Sequence, residues 1–137
     1  MKELNEITEK IIGCAIEVHK HLGPGLLETI YEKALCYELD ENNVIYEKQI
    51  VAPVIYKGII LGEYRVDLVV EKEIIVELKA TEKMNPVYEA QVLSYLKMTN
   101  KKLGLLINFN VPVLRSGIKR IILGSPLRLC ASVALEK

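Results

Sequence analysis

The chain has 137 residues, of which 50% are hydrophobic and 26% are charged, and its formal net charge is zero. This composition is typical of a globular protein, excludes the disordered and fibrous classes, and predicts a single domain over residues 1–137. The three cysteines form no C-x-x-C pair, which argues against a disulfide framework or a zinc site and indicates a reducing compartment. The chain shows neither a signal-peptide pattern nor an apolar run of membrane-spanning length, so we expect a soluble, cytoplasmic protein without a membrane partner.

The zero net charge conceals an uneven distribution along the chain. Residues 1–89 carry 10 basic and 17 acidic residues, whereas residues 90–135 carry seven basic residues and no acidic one. These residues are either ordinary solvated surface charges or, if folding gathers them on one side, a positive surface for a polyanion. The seven are Lys97, Lys101, Lys102, Arg115, Lys119, Arg120 and Arg128.

Two helices are predicted at the start of the chain. Apolar residues at helical spacing predict the first over residues 4–21, and Gly23-Pro24-Gly25 ends it. The second is predicted over residues 26–42, with one apolar stripe facing the core. That stripe consists of Leu27, Ile30, Tyr31, Ala34 and Leu35.

The hydrophobic period then changes to two, which predicts strands over residues 44–56, 59–70 and 74–80. Lys57-Gly58 is the expected hairpin turn between the first two strands. Pro53 lacks a backbone N–H, so the first strand should lie at a sheet edge or carry a break.

A third helix and two more strands complete the predicted domain. Asn85-Pro86 is a favourable helix start, and the helix should extend to residue 99. The apolar run 103–109 predicts a central strand covered on both faces, and 118–123 predicts another strand. The alternating residues after Pro126 predict either a further strand or a loosely packed end. This order predicts an α/β fold with a mixed sheet, in which an antiparallel meander is followed by a parallel strand reached through the third helix.

Asp67, Glu77 and Lys79 are charged residues within the most strand-like part of the sequence. A two-residue turn would point the two acids apart, whereas a three-residue turn at 71–73 would place Asp67 opposite Glu77. Only the second register puts all the neighbouring aliphatic residues on one face, so the hydrophobic pattern favours it. These aliphatic residues are Val66, Leu68, Val70, Ile74, Val76 and Leu78.

Two facing carboxylates repel each other, and one of them should have a raised pKa unless a cation lies between them. Mg²⁺ or Mn²⁺, which prefer oxygen ligands, would remove this repulsion. Lys79, on the same strand face as Glu77, would then orient a water molecule or stabilise charge on a phosphate. The alternative is a structural ion pair at the end of a sheet.

The pattern Asp67…Glu77-Leu78-Lys79 resembles the PD-(D/E)XK nuclease superfamily, with Val66 in place of the proline. Residues 25–31 match the G-x-x-E-x-x-Y signature of a small-protein family within it, and residues 91–95 resemble the Q-x-x-x-Y motif of RecB-type nucleases. The similarity extends to about residue 123, which leaves 124–137 as a C-terminal tail. It implies a restriction-endonuclease-like core.

The resemblance also implies roles for individual residues. It implies Asp67, Glu77, Lys79 and Gln91 as catalytic residues, and Glu28, Asp67 and Glu77 as ligands of Mg²⁺ or Mn²⁺. Without the resemblance, the dipole at the start of its helix is an alternative explanation of Glu28, and packing in the core is the favoured explanation of Tyr31 and Tyr95. The residues expected to bind substrate are Tyr31, Tyr95, Lys97, Lys101, Lys102, Lys119 and Arg120.

Three hypotheses for function follow. The first is a metal-dependent nuclease that hydrolyses phosphodiester bonds, with DNA favoured over RNA and a homodimer as one way to select a substrate. The second is a non-catalytic module that binds nucleic acid or protein on a nuclease-like fold. The third is hydrolysis of a small phosphorylated molecule. The Q-x-x-x-Y motif favours exonuclease-like chemistry, whereas the small size favours a dimeric, structure-specific endonuclease.

Overall fold

The structure, a computed structural model, describes residues 2–123 as three α-helices, five strands and a short 3₁₀-helix (Leu114–Gly117). The α-helices are α1 (Lys2–Leu22), α2 (Glu28–Glu41) and α3 (Pro86–Thr99). The strands are β1 (Tyr46–Tyr56), β2 (Ile59–Val70), β3 (Ile74–Lys79), β4 (Leu103–Asn108) and β5 (Ile118–Ile122).

The five strands form one mixed sheet whose spatial order, β1-β2-β3-β4-β5, follows the chain. β3 and β4 are parallel, and the other neighbouring pairs are antiparallel. A parallel pair requires a crossover connection, and α3 provides it between β3 and β4. The predicted α/β architecture, with its meander and one parallel strand, is confirmed.

Both faces of the sheet are covered by helices, so its central strands are buried on both sides. Every residue of β4 is buried, as predicted for a central strand. One face packs against α1 and α2 through residues that include Ile11, Tyr31, Leu35, Leu68, Val76, Leu105 and Phe109. The opposite face packs against α3 through residues that include Val66, Val69, Ile75, Val92, Tyr95, Leu96 and Leu106.

The buried stripe of α2 differs from the predicted one. The side chains of Leu27 and Ile30 are 73% and 41% exposed. The helix begins at Glu28, so Leu27 precedes its first turn, and the buried side follows Tyr31, Leu35 and Leu39 at four-residue spacing. The prediction for Leu27 was wrong because the start of the helix was placed two residues too early, and the prediction for Ile30 was wrong because the buried side of the helix follows Tyr31, Leu35 and Leu39 instead.

The features predicted for the first hairpin are confirmed. Lys57 and Gly58 form the turn, with φ angles of 50° and 82°, and two positive φ angles are what a tight hairpin turn of the I′ type requires. Pro53 lies in β1, an edge strand, and the pairing with β2 shifts register between Val54 and Ile55.

The strand predicted after Pro126, together with Arg128, lies outside the described residues. Within residues 2–123, none of the helices combines the length and the hydropathy needed to cross a bilayer.

Gly104 allows α3 to approach the sheet closely, and we expect Gly104→Ala to destabilise the protein. A Cβ at this position would lie 2.7 Å from Cγ1 of Val92, a stiff β-branched side chain on α3, and 3.5 Å from the carbonyl oxygen of Ile75. Overpacking of this kind costs about 1–3 kcal/mol of the free energy of unfolding, which urea denaturation would measure.

Gly62→Ala is the matched control, because a Cβ at this position in β2 would meet no atom within 4 Å. We expect its free energy of unfolding to stay within about 0.5 kcal/mol of the wild-type value. Equal stabilities of the two variants would contradict the close packing of α3 on β4.

Candidate active site

Asp67 and Glu77 face each other where the pairing of β2 with β3 ends. The last backbone pair is Leu68 with Val76, and the next position along places Asp67 opposite Glu77. The strands are joined by a turn at residues 71–73. The register chosen from the hydrophobic pattern is therefore confirmed.

The two carboxylates are held by reciprocal hydrogen bonds to the opposite strand. Oε1 of Glu77 accepts a hydrogen bond from the backbone N–H of Asp67 at 2.9 Å. Oδ2 of Asp67 accepts one from the backbone N–H of Leu78, also at 2.9 Å. Side-chain oxygens thus take over from backbone carbonyls at this end of the hairpin. The arrangement fixes both acids through backbone N–H groups.

Val66 is an exception to the predicted one-sided aliphatic face. The other five aliphatic residues face α1 and α2, whereas Val66 lies in the core against α3. The pairing of β1 with β2 omits Gln49 and Asp67 but continues on either side of them. This irregularity interrupts the alternation of β2 at Asp67. The prediction was wrong for Val66 because regular alternation was assumed through that position.

The site carries negative charge that the surrounding protein compensates only in part. Burial, and then the charge of Asp67, raise the pKa of Glu77 to about 8, and only 6% of this residue is exposed. Burial also raises the pKa of Asp67, although the Leu78 N–H and the charge of Lys79 act against this rise. The pKa of Glu28 is raised by burial and by Asp67, again opposed by Lys79. The structure therefore brings Glu28, Asp67, Glu77 and Lys79 into one electrostatic neighbourhood.

The donor chemistry of this neighbourhood fits a hard divalent cation, because Mg²⁺ and Mn²⁺ prefer carboxylate oxygens. A cation beside Asp67 and Glu77 would also stabilise the ionised form of both acids. Among the side chains of residues 2–123, however, no three from His, Cys, Asp and Glu are arranged closely enough to form a metal site. The chemistry of the predicted ligands is suitable, but Glu28 does not complete a three-carboxylate site in this conformation.

Lys79 is positioned by Tyr88, a residue that the sequence patterns did not identify. The Lys79 Nζ lies 4.4 Å from the centre of the Tyr88 ring, a distance at which the ring attracts the ammonium group. The backbone carbonyl of Lys79 accepts a hydrogen bond from the N–H of Phe109 at 2.9 Å. Both the backbone and the side chain of this lysine are therefore held.

Asn108 anchors the loop that follows Lys79. Its Oδ1 accepts hydrogen bonds from the N–H groups of Thr81 and Asn110, each at 3.1 Å, and its Nδ2 donates to the carbonyl of Thr81 at 2.9 Å. Asn108 is 2% exposed. A polar residue at the end of an otherwise apolar strand was the sequence signal that would have identified it.

Tyr95 of the predicted Gln91-x-x-x-Tyr95 motif is buried in the core on the α3 face, which does not agree with its predicted contact with substrate. Burial, followed by the charge of Glu77, raises the pKa of Tyr95 to about 12. Its ring packs at a tilt against Tyr64, with 5.9 Å between the ring centres. Gln91 is half-buried one turn earlier on α3, and residues at this spacing share a helix face.

Tyr31 is a core residue, and its placement corrects the prediction that it contacts substrate. It is fully buried, and its ring stacks on Phe109 with 4.5 Å between the ring centres. Its hydroxyl donates a hydrogen bond to the carbonyl of Gly23 and accepts one from the N–H of Leu26. Tyr31 therefore fixes the loop before α2. Through this loop it also fixes the position of Glu28, the first residue of the helix.

Three of the basic residues lie far from the acids. Lys101 and Lys102 directly precede β4, and Lys97 lies in the last turn of α3 before them. The other end of β4, at Asn108, pairs with Lys79. The strand rises by roughly 3.3 Å per residue, so its length separates Lys101 and Lys102 from the acids. Their predicted role in holding substrate beside Lys79 does not agree with this placement.

Lys119 and Arg120 point to opposite sides of β5 and interact with acidic residues. Nζ of Lys119 lies 2.8 Å from the carboxylate of Glu89 on α3, and the Arg120 guanidinium lies 3.6 Å from that of Glu9 on α1. Successive residues of a strand face opposite sides of a sheet. The five basic residues predicted to bind substrate are therefore not gathered into one surface.

Glu32 and Gln49 join the acidic neighbourhood, although neither was predicted as a site residue. Burial, and then the charge of Asp67, raise the pKa of Glu32. The Gln49 amide nitrogen lies 3.4 Å from each Glu32 carboxylate oxygen. Glu32 is one helical turn after Glu28, a spacing that was visible in the sequence. The strand pattern around Gln49 contains no comparable signal.

We expect Glu77→Gln to stabilise the metal-free protein at high pH. The pKa of Glu77 is about 8 in the folded protein against an ordinary 4.5, so the folded state keeps a proton that the unfolded state releases. The free energy of unfolding of the wild type therefore falls as the pH rises between these values. Glutamine removes this fall, and above pH 8 the variant should be more stable by roughly 4–5 kcal/mol. Urea denaturation with a chelator, from pH 4 to pH 9, measures the difference.

Glu73→Gln is the control, because Glu73 is exposed in the hairpin turn. This variant should follow the wild type over the whole pH range. If Glu77→Gln also did so, Glu77 would not retain its proton in the folded protein, and the buried-acid interpretation would be wrong.

The fold is similar to that of the crystal structure of SSO0001. The TM-score is 0.54 at 19% sequence identity, and the alignment covers 79% of this chain and 55% of that chain. This chain thus spans little more than half the length of the structure it matches. A likeness at this identity concerns the fold alone. No curated protein sequence matches the chain.

A family model for the PD-(D/E)XK nuclease superfamily matches residues 5–121. The match contains Glu28, Asp67, Glu77 and Lys79, and it runs from α1 into β5. It spans most of the chain and agrees with the mixed sheet and with the paired acids at the end of β2 and β3. The chain belongs to the PD-(D/E)XK nuclease superfamily, with a restriction-endonuclease-like fold.

Proposed function

We propose that this protein is a metal-dependent nuclease that hydrolyses phosphodiester bonds of nucleic acid, with DNA preferred to RNA. The observation that carries the proposal is the Asp67–Glu77 pair, two partly buried acids that face each other beside Lys79. Two like charges that are buried together destabilise a folded protein, whereas the same two charges stabilise a cation that binds between them. Nucleases of this superfamily generally use divalent metals and act on nucleic acid.

Asp67 and Glu77 would hold Mg²⁺ or Mn²⁺, with Glu28 approaching from the start of α2. Such a cation, when bound, supplies Lewis-acid chemistry at the phosphate and activates water at neutral pH. The hydrogen bonds from Leu78 and Asp67 N–H groups keep the two carboxylates oriented before any ligand arrives. This preorganisation avoids rearrangement during the reaction.

Lys79 would stabilise the negative charge that develops on the phosphate. Its contact with Tyr88 limits the directions in which the ammonium group can point. Gln91 carries both a donor and an acceptor, and it would orient the phosphate or a water molecule from α3. Tyr95 would complete this wall of the site beside Glu77.

Finer assignments rest on the sequence motifs. Gly25, Glu28 and Tyr31 support membership of the G-x-x-E-x-x-Y family, and the likeness of residues 91–95 to RecB-type nucleases supports DNA as the substrate. The buried free thiols of Cys14 and Cys36 suit a reducing compartment, which supports a cytoplasmic location.

A homodimer is supported by the exposed apolar surface of the β1–β2 hairpin. Its large side chains are 40–68% exposed, an unusual concentration for a monomer. We propose a second copy of this chain as the occupant. A stable interface needs roughly 800 Å² from each partner, and the exposed apolar side chains lie on both faces of the hairpin, so the partner would have to cover both. These residues, the hairpin patch, are Val51, Ile55, Tyr56, Ile59, Ile60, Leu61 and Tyr64.

A non-catalytic binding module is the second candidate function, and the hairpin patch is the observation that favours it. An exposed apolar surface of this size suits association with a macromolecule whether or not the acids bind metal. Calorimetry separates the two candidates. Absence of binding at millimolar Mg²⁺ and Mn²⁺ would favour the module.

We expect the wild-type protein to cleave nucleic acid in the presence of Mg²⁺ or Mn²⁺. Labelled single-stranded and double-stranded DNA and RNA oligonucleotides are the substrates, and cleavage of DNA should be faster. Asp67→Asn, Glu77→Gln and Lys79→Met should each lower the rate by roughly 100-fold or more, because each removes a charge beside the reacting phosphate. A chelator should abolish cleavage.

Glu73→Gln should cleave at the wild-type rate, since its side chain lies in the distant turn. Equal cleavage by the wild type and Glu77→Gln would indicate a contaminating nuclease or a different site. Faster cleavage of RNA would leave the chemistry in place and overturn the preference for DNA.

We expect the protein to sediment as a dimer and the double variant Ile55→Asp/Ile60→Asp to sediment as a monomer. These two residues are paired across the hairpin and are 61% and 68% exposed, so aspartate places charge in the middle of the interface. Val113→Asp is the control, because Val113 is 65% exposed away from the hairpin. Analytical ultracentrifugation makes the measurement, and a monomeric wild type would contradict the proposal.

A further inference from the structure

Asn108 is a buried polar residue at the end of an apolar strand. It is the last residue of β4, and its partner in the parallel pairing is Lys79, the last residue of β3. Only 2% of Asn108 is exposed, and burying a polar side chain costs stability unless hydrogen bonds satisfy it. The hydrogen bonds of Asn108 therefore indicate what the residue does.

The side-chain amide of Asn108 pairs with the backbone of Thr81, which follows β3. Its Oδ1 accepts a hydrogen bond from the Thr81 N–H at 3.1 Å, and its Nδ2 donates one to the Thr81 carbonyl at 2.9 Å. The backbone of a neighbouring strand would offer the same acceptor and donor. The amide thus continues the support of the β3 chain beyond the residue at which the strand ends.

Lys79 is held on both sides by these contacts. Before it, β3 is paired with β4 along its whole length. At Lys79 itself, the carbonyl accepts a hydrogen bond from the N–H of Phe109 at 2.9 Å, and beyond it the Asn108 amide holds Thr81. The ends of strands open most readily, so the amide protects the one position of β3 that carries the lysine.

Asn108 is itself fixed by its neighbours. Its Oδ1 also accepts a hydrogen bond from the N–H of Asn110 at 3.1 Å, which orients the amide. A Cβ on Gly117 would overlap with the carbonyl oxygen of Asn108, so the chain of the 3₁₀-helix passes directly beside it. Nε2 of His19 lies 2.8 Å from the carbonyl oxygen of Val111 and ties the following loop to α1. The amide therefore has a rigid base.

The amide and the partner of the Lys79 ammonium group lie on the same side of the sheet. Leu106, two residues before Asn108, packs on the α3 side, and residues at this spacing share a face of the strand. Tyr88 is on α3, with its ring centre 4.4 Å from the Lys79 Nζ. A shift of the chain at residues 79–81 would therefore move the ammonium group off the ring.

We propose that Asn108 is a positioning residue whose amide clamps Thr81 and thereby holds the Lys79 ammonium group over the Tyr88 ring. The proposal deepens the proposed function and rests on it for its meaning in catalysis. The geometry exists without metal or substrate, and it is tested first without them.

The test compares Asn108→Ala and Asn108→Ser with Gly104→Ala. Alanine removes the amide, and serine keeps one polar atom where the clamp needs two. Gly104→Ala disturbs the packing of α3 near the start of β4, where Gly104 pairs with Ile75 rather than with Lys79. It therefore controls for a general loss of stability, which urea denaturation measures for each variant.

The first readout is the NMR spectrum of the metal-free protein. The ring current of Tyr88 should shift the Lys79 methylene protons beside Nζ upfield, because the group lies over the ring. Tyr88→Leu removes the ring and gives the unshifted position. Gly104→Ala should keep the wild-type shift, whereas both Asn108 variants should lose most of it.

The second readout is the rate of nucleic-acid cleavage with Mg²⁺. Both Asn108 variants should lower kcat by roughly 10–100-fold, because a displaced ammonium group stabilises the transition state less. KM should stay near the wild-type value, since the change affects the transition state more than substrate binding. Gly104→Ala should keep the wild-type kcat at temperatures where it is folded.

An unchanged ring-current shift in a folded Asn108 variant would overturn the proposal. Failure of both Asn108 variants to fold would also overturn it, because Asn108 would then serve stability alone. Loss of the shift in the Asn108 variants, together with a wild type that cleaves no nucleic acid, would uphold the positioning role and refute the proposed nuclease.

Discussion

The reciprocal hydrogen bonds between Asp67 and Glu77 and the opposite strands are the interaction on which the site depends. Each carboxylate accepts a hydrogen bond from a backbone N–H group that would donate to a backbone carbonyl in a regular sheet. The two acids are thereby fixed in place although their charges repel and their surroundings are largely buried. A buried pair held in this way is poorly explained by stability alone, since burial, and then the charge of Asp67, raise the pKa of Glu77.

The surrounding elements each position one part of this site. Tyr31 holds the loop before α2, which brings Glu28 and Glu32 towards Asp67. Tyr88 of α3 contacts the ammonium group of Lys79, and β4 supports the same residue through its backbone. The helices on the two faces of the sheet therefore do more than cover the core. They deliver polar groups to the place at which the backbone pairing of β2 with β3 stops.

The errors made from the sequence have local physical causes. Leu27 was placed in the core because helical spacing continues one residue beyond the true start of α2. Val66 was placed on the wrong face because successive side chains alternate between the two faces only while a strand is regular. β2 is irregular at Asp67. The basic residues of the last third appeared as one group in the sequence, but Lys119 and Arg120 alternate across β5 and form ion pairs with different helices.

The sequence by itself determined the order of elements, the register of the β2–β3 hairpin and the meeting of Asp67, Glu77 and Lys79. These follow from local periodicity, because the side-chain period of two and the length of one turn fix which residues of a hairpin share a face. Tertiary structure alone decided that Gln49, Glu32 and Tyr88 join them. Those contacts link elements far apart in the chain, and one depends on a left-handed backbone at Gln49 that no periodic pattern encodes.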